Sequence, residues 1–241
     1  MIPHRQMLNW LHALWKRASF KAGDVIAQKT STSFAISTKE IFSGLLKGMP
    51  LVFIDDVVIK DVPHFVRELA LWKVTHLYTF PSELNLLLEE LCYQSTLLPQ
   101  LRLASIYISM EACTTELLER LYTAIPNTKA WFLYGCTEVN DICYCERQYQ
   151  IQDSGFVPVG VPIQNTKVYI LDDNLQPTPI GIMGQIYVES VGLARGYWEL
   201  PGLTAERFVA NPFGKQGSRL YCTGDMGRFL QSGTIELLGR S

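Results

Sequence analysis

Two short segments contain the residue types that a nucleotide site requires. Residues 132–138, FLYGCTE, end in Glu138, and residues 220–225, LYCTGD, end in Asp225. In both segments a carboxylate follows a small turn that contains threonine and glycine. Glycine lets the backbone approach a ligand closely, and a carboxylate accepts hydrogen bonds from hydroxyls or helps to hold a cation. The two segments predict a nucleotide site with a metal, although the sequence contains neither a glycine-rich phosphate loop nor an obvious catalytic lysine.

The composition indicates a globular protein and gives no sign of a nucleic-acid or membrane partner. The 241 residues, of which 48% are hydrophobic, are sufficient for one large domain or two small ones. The net charge of −2 gives no reason to expect binding to nucleic acid or to an anionic membrane. No apolar run approaches the roughly 20 residues of a membrane span, and the N-terminus has no apolar secretory core. A cytoplasmic location is therefore the expectation.

The cysteines and histidines do not form a metal-binding pattern. Cys143 and Cys145 are separated by one residue, whereas a zinc knuckle has two or more residues between its ligands. Packing is the favoured role of these thiols, with a metal or redox role as the alternative. His76 lies in the apolar segment 74–78, which indicates a histidine buried in the core.

The order of apolar patterns predicts the fold class. Helices are expected at 4–17, 38–47, 63–72, 83–91 and 114–124, and strands at 51–54, 74–79, 103–109 and 130–133. This alternation predicts an α/β fold with a parallel sheet flanked by helices. Short strands at 168–171, 185–188, 228–230 and 234–238 predict a small antiparallel, barrel-like region after it. The expected domains are residues 1–154 and 155–241.

Several motifs in fixed order resemble those of one enzyme family. They are residues 134–138 (YGCTE), 160–165 (GVPIQN), 192–197 (GLARGY), Pro201, 203–204 (LT), 207–208 (RF), 211–213 (NPF), 221–225 (YCTGD) and 238–240 (LGR). Together they resemble an adenylation domain of a nonribosomal peptide synthetase, within the AMP-forming acyl-CoA synthetases and luciferases. The resemblance extends over nearly the whole chain.

The resemblance also implies that this chain is only part of the domain. In the family, a phosphate loop lies just before the segment that resembles residues 1–10. A C-terminal subdomain, which contains a catalytic lysine, begins just after the segment that resembles Gly239 and Arg240. The chain therefore resembles the second half of the large N-terminal subdomain.

The resemblance implies an activity, cofactors and partners. Family members join a carboxylic acid to ATP, which gives an acyl-adenylate and pyrophosphate, and then transfer the acyl group to a thiol. The implied cofactors are ATP or AMP, Mg²⁺, and the phosphopantetheine of a partner carrier domain. The implied partners are a small carboxylic acid (amino, keto, hydroxy or aryl), a peptidyl carrier domain and the missing halves of the adenylation domain. Neither a nucleic acid nor a membrane is implied.

The motif at 134–138 implies contacts with adenine and phosphate. By resemblance, Tyr134 stacks on adenine and Gly135 belongs to the same nucleotide-binding turn. Thr137 hydrogen-bonds the α-phosphate, and Glu138 holds Mg²⁺. The alternative for Tyr134 is a core aromatic residue at the end of a strand.

The motifs near the C-terminus imply contacts with the sugar. By resemblance, Asp225 accepts hydrogen bonds from both ribose hydroxyls. The alternative is an ordinary turn residue, which the surrounding motif disfavours. Arg240 reaches the ribose or a phosphate in the family, and an exposed arginine without this role is an equal alternative.

The segment that resembles the acyl pocket departs from the family. Members that activate α-amino acids have an aspartate for the substrate ammonium where this chain has Ala35, and alanine cannot neutralise a buried ammonium. The aligned pocket residues are Ala35, Ile36, Lys39, Tyr78, Tyr107, Ser109, Leu133, Asp141 and Ile142. An α-keto, α-hydroxy, aryl or β-amino acid is therefore the expected class of substrate. Alternatively, Asp141 holds a displaced amine or pairs with Lys39, or these residues only pack together without any specificity.

Three other functions stay open from the sequence. One is a non-catalytic remnant or interaction module, which the missing loop and lysine favour. Another is a split enzyme that neighbouring chains complete. The last is an acyl-CoA synthetase, although the residues of the motifs at 192–197 and 207–213 favour a carrier-protein-linked synthetase.

Overall fold

A computed structural model describes residues 1–109, 111–146 and 155–240 of the chain. Its helices are α1 (His4–Arg17), α2 (Ala35–Leu45), α3 (Asp56–Lys60), α4 (Val62–Leu71), α5 (Pro81–Tyr93), a 3₁₀ helix (Ser95–Gln100), α6 (Thr115–Ala124) and α7 (Pro201–Arg207). Its strands are β1 (Ile26–Gln28), β2 (Leu51–Phe53), β3 (His76–Thr79), β4 (Ser105–Ser109), β5 (Lys129–Cys136), β6 (Asn140–Glu146), β7 (Val161–Pro162), β8 (Thr166–Leu171), β9 (Gly184–Ser190), β10 (Phe208–Ala210), β11 (Arg219–Phe229) and β12 (Ile235–Arg240).

The chain divides into two compact units. The first comprises Met1–Ala13, Leu133–Cys145 and Pro158–Ser241, and the second comprises Leu14–Phe132 and Glu146–Val157. Strand β5 contributes its last residues to the first unit and its first residues to the second. A division into domains 1–154 and 155–241 stays a prediction.

The second unit is built on parallel strands in the order β2-β1-β3-β4, followed by the start of β5. Strands β1 and β2 pair in parallel, as do β1 with β3 and β3 with β4. The five residues of β4 are all buried, which is typical of a strand with both faces covered. Helices join the successive strands, so the predicted α/β fold with a parallel, helix-flanked sheet is confirmed.

Side chains cap several helix starts in this unit, but not that of α2. The side chain of Asp61 accepts a hydrogen bond from the backbone of α4, and that of Thr114 does so for α6. For α2 the predicted start is residue 38. The helix begins at Ala35 instead, and the hydroxyls of Ser37 and Thr38 donate to the backbone carbonyls three residues earlier.

His76 is a buried core residue, as its apolar surroundings predict. Its ring is 1% exposed and stacks on Phe20 with centroids 4.5 Å apart. Its Nδ1 lies 3.0 Å from the hydroxyl of Tyr107, and its Nε2 lies 3.1 Å from a carboxylate oxygen of Asp24. Burial lowers the pKa of His76, and Asp24 opposes this effect. The histidine is therefore hydrogen-bonded through both nitrogens inside the unit.

The first unit contains a five-stranded sheet in which all pairings are antiparallel. The order is β10-β11-β9-β8, and β12 pairs with β11. Its core joins residues of β6, β8, β9 and β11, among them Ile142, Val168, Ile186 and Tyr221. The predicted antiparallel region is therefore confirmed, and Tyr134 and Cys136 at the end of β5 pack against its core.

Packing is also what the structure shows for two of the cysteines. Cys143 and Cys145 are both buried in β6. Within residues 1–109, 111–146 and 155–240, no three histidine, cysteine, aspartate or glutamate side chains are close enough to hold a metal ion. None of the helices in these ranges has the length and apolar character that crossing a membrane requires.

Candidate nucleotide site

Asp225 is positioned by an irregularity inside a long strand. Cys222 of β11 pairs with Tyr187 of β9, and Met226 pairs with Gln185, so residues 223–225 together face only residue 186. The extra residues bulge out of the ladder, which re-aims the side chain at that point. The sequence predicts a turn here, but β11 continues on both sides of the bulge.

Threonine and glycine shape this bulge. The hydroxyl of Thr223 donates to the carbonyl of Ile186 at 2.9 Å and accepts from the backbone N–H of Asp225 at 3.0 Å. Gly224 between them has φ = +78°, a left-handed conformation that glycine adopts without strain. The two residues before Asp225 therefore fix the direction of its carboxylate.

The carboxylate of Asp225 connects residues that are far apart in the sequence. Tyr134, 91 positions earlier, donates its hydroxyl to Oδ2 at 2.7 Å. Arg240, which pairs with Asp225 across β11 and β12, donates Nε to Oδ1 at 3.1 Å. The side chain of Asp225 is 15% exposed and that of Arg240 is 81% exposed. The structure thus brings together three of the predicted nucleotide-binding residues.

The turn after Tyr134 requires a glycine. Tyr134 and Gly135 lie within β5, and β6 begins at Asn140, so residues 137–139 form the turn. A Cβ atom at Gly135 would lie 2.1 Å from the carbonyl oxygen of Asn140. No side chain fits into that distance, so only glycine lets the two strands approach at this point.

Glu138 lies in this turn and is held at both its backbone and its side chain. Its carbonyl accepts a hydrogen bond from the backbone N–H of Ala194 at 2.7 Å. One carboxylate oxygen, Oε1, accepts from the hydroxyl of Tyr197 at 2.7 Å. The neighbouring Thr137 is exposed, and its carbonyl accepts from the side-chain amide of Gln6 at 3.2 Å. The side chains of Thr137 and Glu138 thus project from a turn whose backbone is fixed.

Burial keeps the side chains around these carboxylates protonated. Burial is the main cause that raises the pKa of Tyr134, and the charge of Asp225 adds to it. The pKa of the Cys136 thiol rises to about 12 through burial and the nearby charge of Glu138. At neutral pH, Tyr134 is therefore a hydrogen-bond donor and Cys136 is an uncharged thiol.

The donor set suits a magnesium ion that is bound together with a nucleotide. In sites of this kind, Mg²⁺ is held by one or two carboxylates and by the phosphates of the substrate. Glu138 is half-buried in the turn and supplies one carboxylate, whose contacts include two neutral groups, the hydroxyl of Tyr197 and the thiol of Cys136. The residues present therefore fit the ion that the resemblance implies.

Six of the predicted acyl-pocket residues lie in the second unit. Ala35, Ile36 and Lys39 are in the first turns of α2, where Ala35 is exposed and the other two are buried. Tyr78 and Tyr107 are paired across β3 and β4 and stack with centroids 4.4 Å apart. The hydroxyl of Tyr107 bonds to His76, so it already has a structural role.

Ser109 at the end of β4 differs from its neighbours. Its side-chain oxygen is buried and has no hydrogen-bond partner among the residues that the structure describes. A buried hydroxyl without a partner is uncommon in folded proteins. Among the predicted pocket residues in this unit, Ser109 is therefore a candidate for a polar contact with a ligand.

The other three predicted pocket residues lie in the first unit. Leu133 is half-buried in β5, and Asp141 and Ile142 are buried in β6. Asp141 accepts a hydrogen bond from the indole N–H of Trp10, and its own N–H donates to the side chain of Asn140 at 3.0 Å. This buried carboxylate is thus part of a hydrogen-bonded group.

A cavity in the second unit is not predicted by the sequence. Its volume is about 460 Å³, and its walls include Lys29, Phe34, Phe80, Glu83 and Glu111. Lys29, directly after β1, forms an ion pair with Glu83 at 2.7 Å. None of the six predicted pocket residues of this unit lines the cavity. Three of its lining residues, 29–31, directly follow β1, a strand of three residues that is too short for its pattern to be recognised.

Sequence reasoning also misses two residues of the first unit. Tyr197 is part of a motif that carries the resemblance but receives no role from it, although it contacts Glu138. Thr223 has the pattern of a turn residue, although its hydroxyl holds the bulge. The only signal in the sequence for these two residues is that each lies in a motif that carries the family resemblance.

Comparisons with known proteins give one consistent answer. A family profile described as "AMP-binding enzyme" matches residues 1–198. One of the linear gramicidin synthase proteins of Brevibacillus parabrevis is 38% identical over 100% of this chain, and bacitracin synthase 3 of Bacillus licheniformis is 36% identical over 100% of it. A crystal structure of the nonribosomal peptide synthetase FmoA3 (S1046A) matches with a TM-score of 0.91 and 27% identity over 100% of the chain.

The chain is short beside these proteins. It spans 3% of the gramicidin synthase protein, 4% of bacitracin synthase 3 and 26% of the FmoA3 chain. The match therefore concerns one segment of much longer enzymes.

Proposed function

Since the chain belongs to the AMP-binding enzyme family, whose profile matches residues 1–198, we propose that it works as part of an adenylating ligase. The proposed reaction activates a carboxylic acid with ATP and transfers the acyl group to the phosphopantetheine thiol of a carrier domain. Support comes from the synthases that match the whole chain. Because the reaction consumes ATP, the proposal includes a cytoplasmic location.

The observation that carries this proposal is the contact set around Asp225. Tyr134 and Arg240, one from β5 and one from β12, both donate to its carboxylate. This carboxylate is oriented, negatively charged and partly exposed, so it suits the paired hydroxyls of a ribose. The proposed binding mode places adenine on the ring of Tyr134 and the sugar on Asp225.

The chemistry is a displacement at the α-phosphorus followed by acyl transfer. A carboxylate oxygen of the substrate attacks the α-phosphorus of ATP, an oxygen–phosphorus bond forms, and pyrophosphate leaves with the electrons of the broken bond. The thiol sulfur then attacks the acyl carbonyl, and AMP leaves. In this proposal Thr137 donates to the α-phosphate and Glu138 takes part in holding the cation, which neutralises phosphate charge when bound.

Removal of the ribose hydroxyls from the nucleotide tests the proposal directly. We expect 2′,3′-dideoxy-AMP to bind this chain about 100-fold more weakly than AMP, because each hydrogen bond to a carboxylate contributes roughly 1.5–3 kcal/mol. 2′-Deoxy-AMP, which keeps one hydroxyl, is the matched intermediate and should lose about tenfold. Isothermal titration calorimetry measures all three affinities. Equal affinities for the three nucleotides would show that the sugar is not bound by Asp225.

The proposed acid lacks an α-ammonium group in the usual position. Ala35 is exposed at the start of α2 and has no charge to offer an ammonium. The proposal therefore favours an α-keto, α-hydroxy, aryl or β-amino acid. Within an adenylation domain that carries this chain, ATP–pyrophosphate exchange should be at least about tenfold faster with such acids than with ordinary α-amino acids. A preference for an ordinary α-amino acid in this assay would refute this part of the proposal.

A further inference from the structure

Glu138 is the end of a chain of hydroxyl groups in the first unit. The hydroxyl of Tyr197 lies 2.7 Å from Oε1 of Glu138 and 3.4 Å from the hydroxyl of Tyr221. A carboxylate only accepts hydrogen bonds, so the single proton of Tyr197 points to Glu138. The bond between the two tyrosines must then run from Tyr221 to Tyr197. This fixed direction makes Tyr197 a dedicated donor to the carboxylate.

Aromatic packing holds the donor in place. The ring of Tyr197 meets Phe208 edge-on with centroids 5.7 Å apart, and Phe208 packs against Tyr221 at 5.0 Å. Phe208 is 5% exposed, and the guanidinium of Arg219 lies 5.1 Å from its ring centroid. Packing of this kind restricts the rotamers of the rings. The hydroxyl of Tyr197 is therefore presented to Glu138 from a rigid base.

The backbone around Tyr197 is fixed to the same turn. Its N–H donates to the hydroxyl of Thr204 at 2.9 Å, and three residues earlier the N–H of Ala194 donates to the carbonyl of Glu138. Gly196 between them has φ = +143°, and a Cβ there would lie 2.5 Å from a methyl carbon of Thr204. Residues 194–197 therefore hydrogen-bond to both the backbone carbonyl and the side-chain carboxylate of Glu138.

We infer that Tyr197 is a positioning residue, which holds the carboxylate of Glu138 in one orientation for the cation that accompanies the nucleotide. This inference rests on the proposed function. Partners of metal-binding carboxylates affect metal affinity by roughly 10- to 100-fold when they are removed. Because Tyr197 is proposed to act through Glu138, we expect its effect to be confined to cation-dependent binding.

The test compares nucleotide binding with and without a divalent cation in this chain. We expect Tyr197→Phe to weaken the affinity for ATP with Mg²⁺ by about tenfold, and to leave the affinity for AMP in EDTA within about twofold of wild type. Calorimetry gives both affinities, and electron paramagnetic resonance of Mn²⁺ with ATP reports the cation directly. The matched control is Tyr169→Phe, which removes a comparable bond of 2.9 Å from a tyrosine hydroxyl to Glu189 in the same unit. This control should behave as wild type.

A double-mutant cycle separates positioning from a general structural effect. Glu138→Gln removes the charge, and in that background Tyr197→Phe should have no further effect on Mn²⁺ binding. The inference would be overturned if the two substitutions caused additive losses of Mn²⁺ affinity, or if Tyr197→Phe weakened AMP binding in EDTA as much as ATP binding with Mg²⁺. Either result would leave the proposed nucleotide site intact. Wild-type chain that binds neither AMP nor ATP would overturn the proposed function and this inference together. Thermal unfolding of each variant identifies losses that come from misfolding, and Glu138→Gln alone still reports on the site if Tyr197→Phe does not fold.

Discussion

Asp225→Ala is expected to weaken the binding of AMP by about 100-fold or more. The carboxylate is the acceptor for both ribose hydroxyls in the proposed mode, and each charge-assisted bond contributes roughly 1.5–3 kcal/mol. The substitution also leaves the hydroxyl of Tyr134 and the guanidinium of Arg240 without the partner that they have now. Calorimetric titration with AMP measures the loss.

The dideoxy nucleotide makes this experiment specific. The affinities of the variant and wild type should differ far less for 2′,3′-dideoxy-AMP than for AMP, because the ribose contact that the mutation removes is already missing from that ligand. Asp173→Ala, which removes an exposed carboxylate of the same unit, is the control for the change in net charge. It should bind AMP as wild type does. An Asp225→Ala variant that binds AMP with unchanged affinity would remove the basis of the proposed site.

The elements with a strong pattern were predictable from the sequence. Helix α1 has the predicted bounds, since Leu11 and Leu14 are buried on one face while Leu8 lies at its margin and is 52% exposed. The fold class was predictable for the same reason, because apolar strands alternate with amphipathic helices. Helix α5 begins at Pro81, two residues before the predicted bound, and proline suits this first position of a helix.

Elements whose identity depends on their partners were not predictable. Strand β1 has three residues, yet it lies between β2 and β3 in the sheet. A run of this length shows no periodicity, and its place follows only from pairing. The cavity beside Lys29 was missed for this reason, because that lysine directly follows β1.

The candidate site was predictable in its residues but not in its geometry. Motif resemblance selected Tyr134, Asp225 and Arg240, and the structure joins them through one carboxylate. The contact between Tyr197 and Glu138 spans 59 positions, and no local rule connects residues at that separation. The sequence at Asp225 indicates a turn because Thr-Gly-Asp is typical of turns, whereas the pairing of Met226 with β9 restores the strand.

Gly135→Ala is expected to destabilise the chain by about 3 kcal/mol or more and to abolish measurable AMP binding. The new methyl group would lie 2.1 Å from the carbonyl oxygen of Asn140, which is backbone and cannot rotate away. Overpacking of a tight site usually costs about 1–3 kcal/mol, and here β5 and β6 must separate. Such a shift displaces Tyr134 and the turn that contains Glu138. Chemical denaturation measures the free energy of unfolding, and calorimetry measures AMP binding.

A second glycine distinguishes this steric effect from the general effect of adding a methyl group. Gly202 in α7 also lacks a positive φ, and a Cβ there would meet no atom within 4 Å. Gly202→Ala should therefore keep full stability or gain up to about 1 kcal/mol from the better helix propensity of alanine. Its AMP affinity should equal that of wild type, since Gly202 lies outside the contact set around Asp225. If Gly135→Ala instead unfolds at the same denaturant concentration as Gly202→Ala, the close approach of the two strands at residue 135 is wrong. The position of Tyr134 beside Asp225 depends on that approach and would then also be wrong.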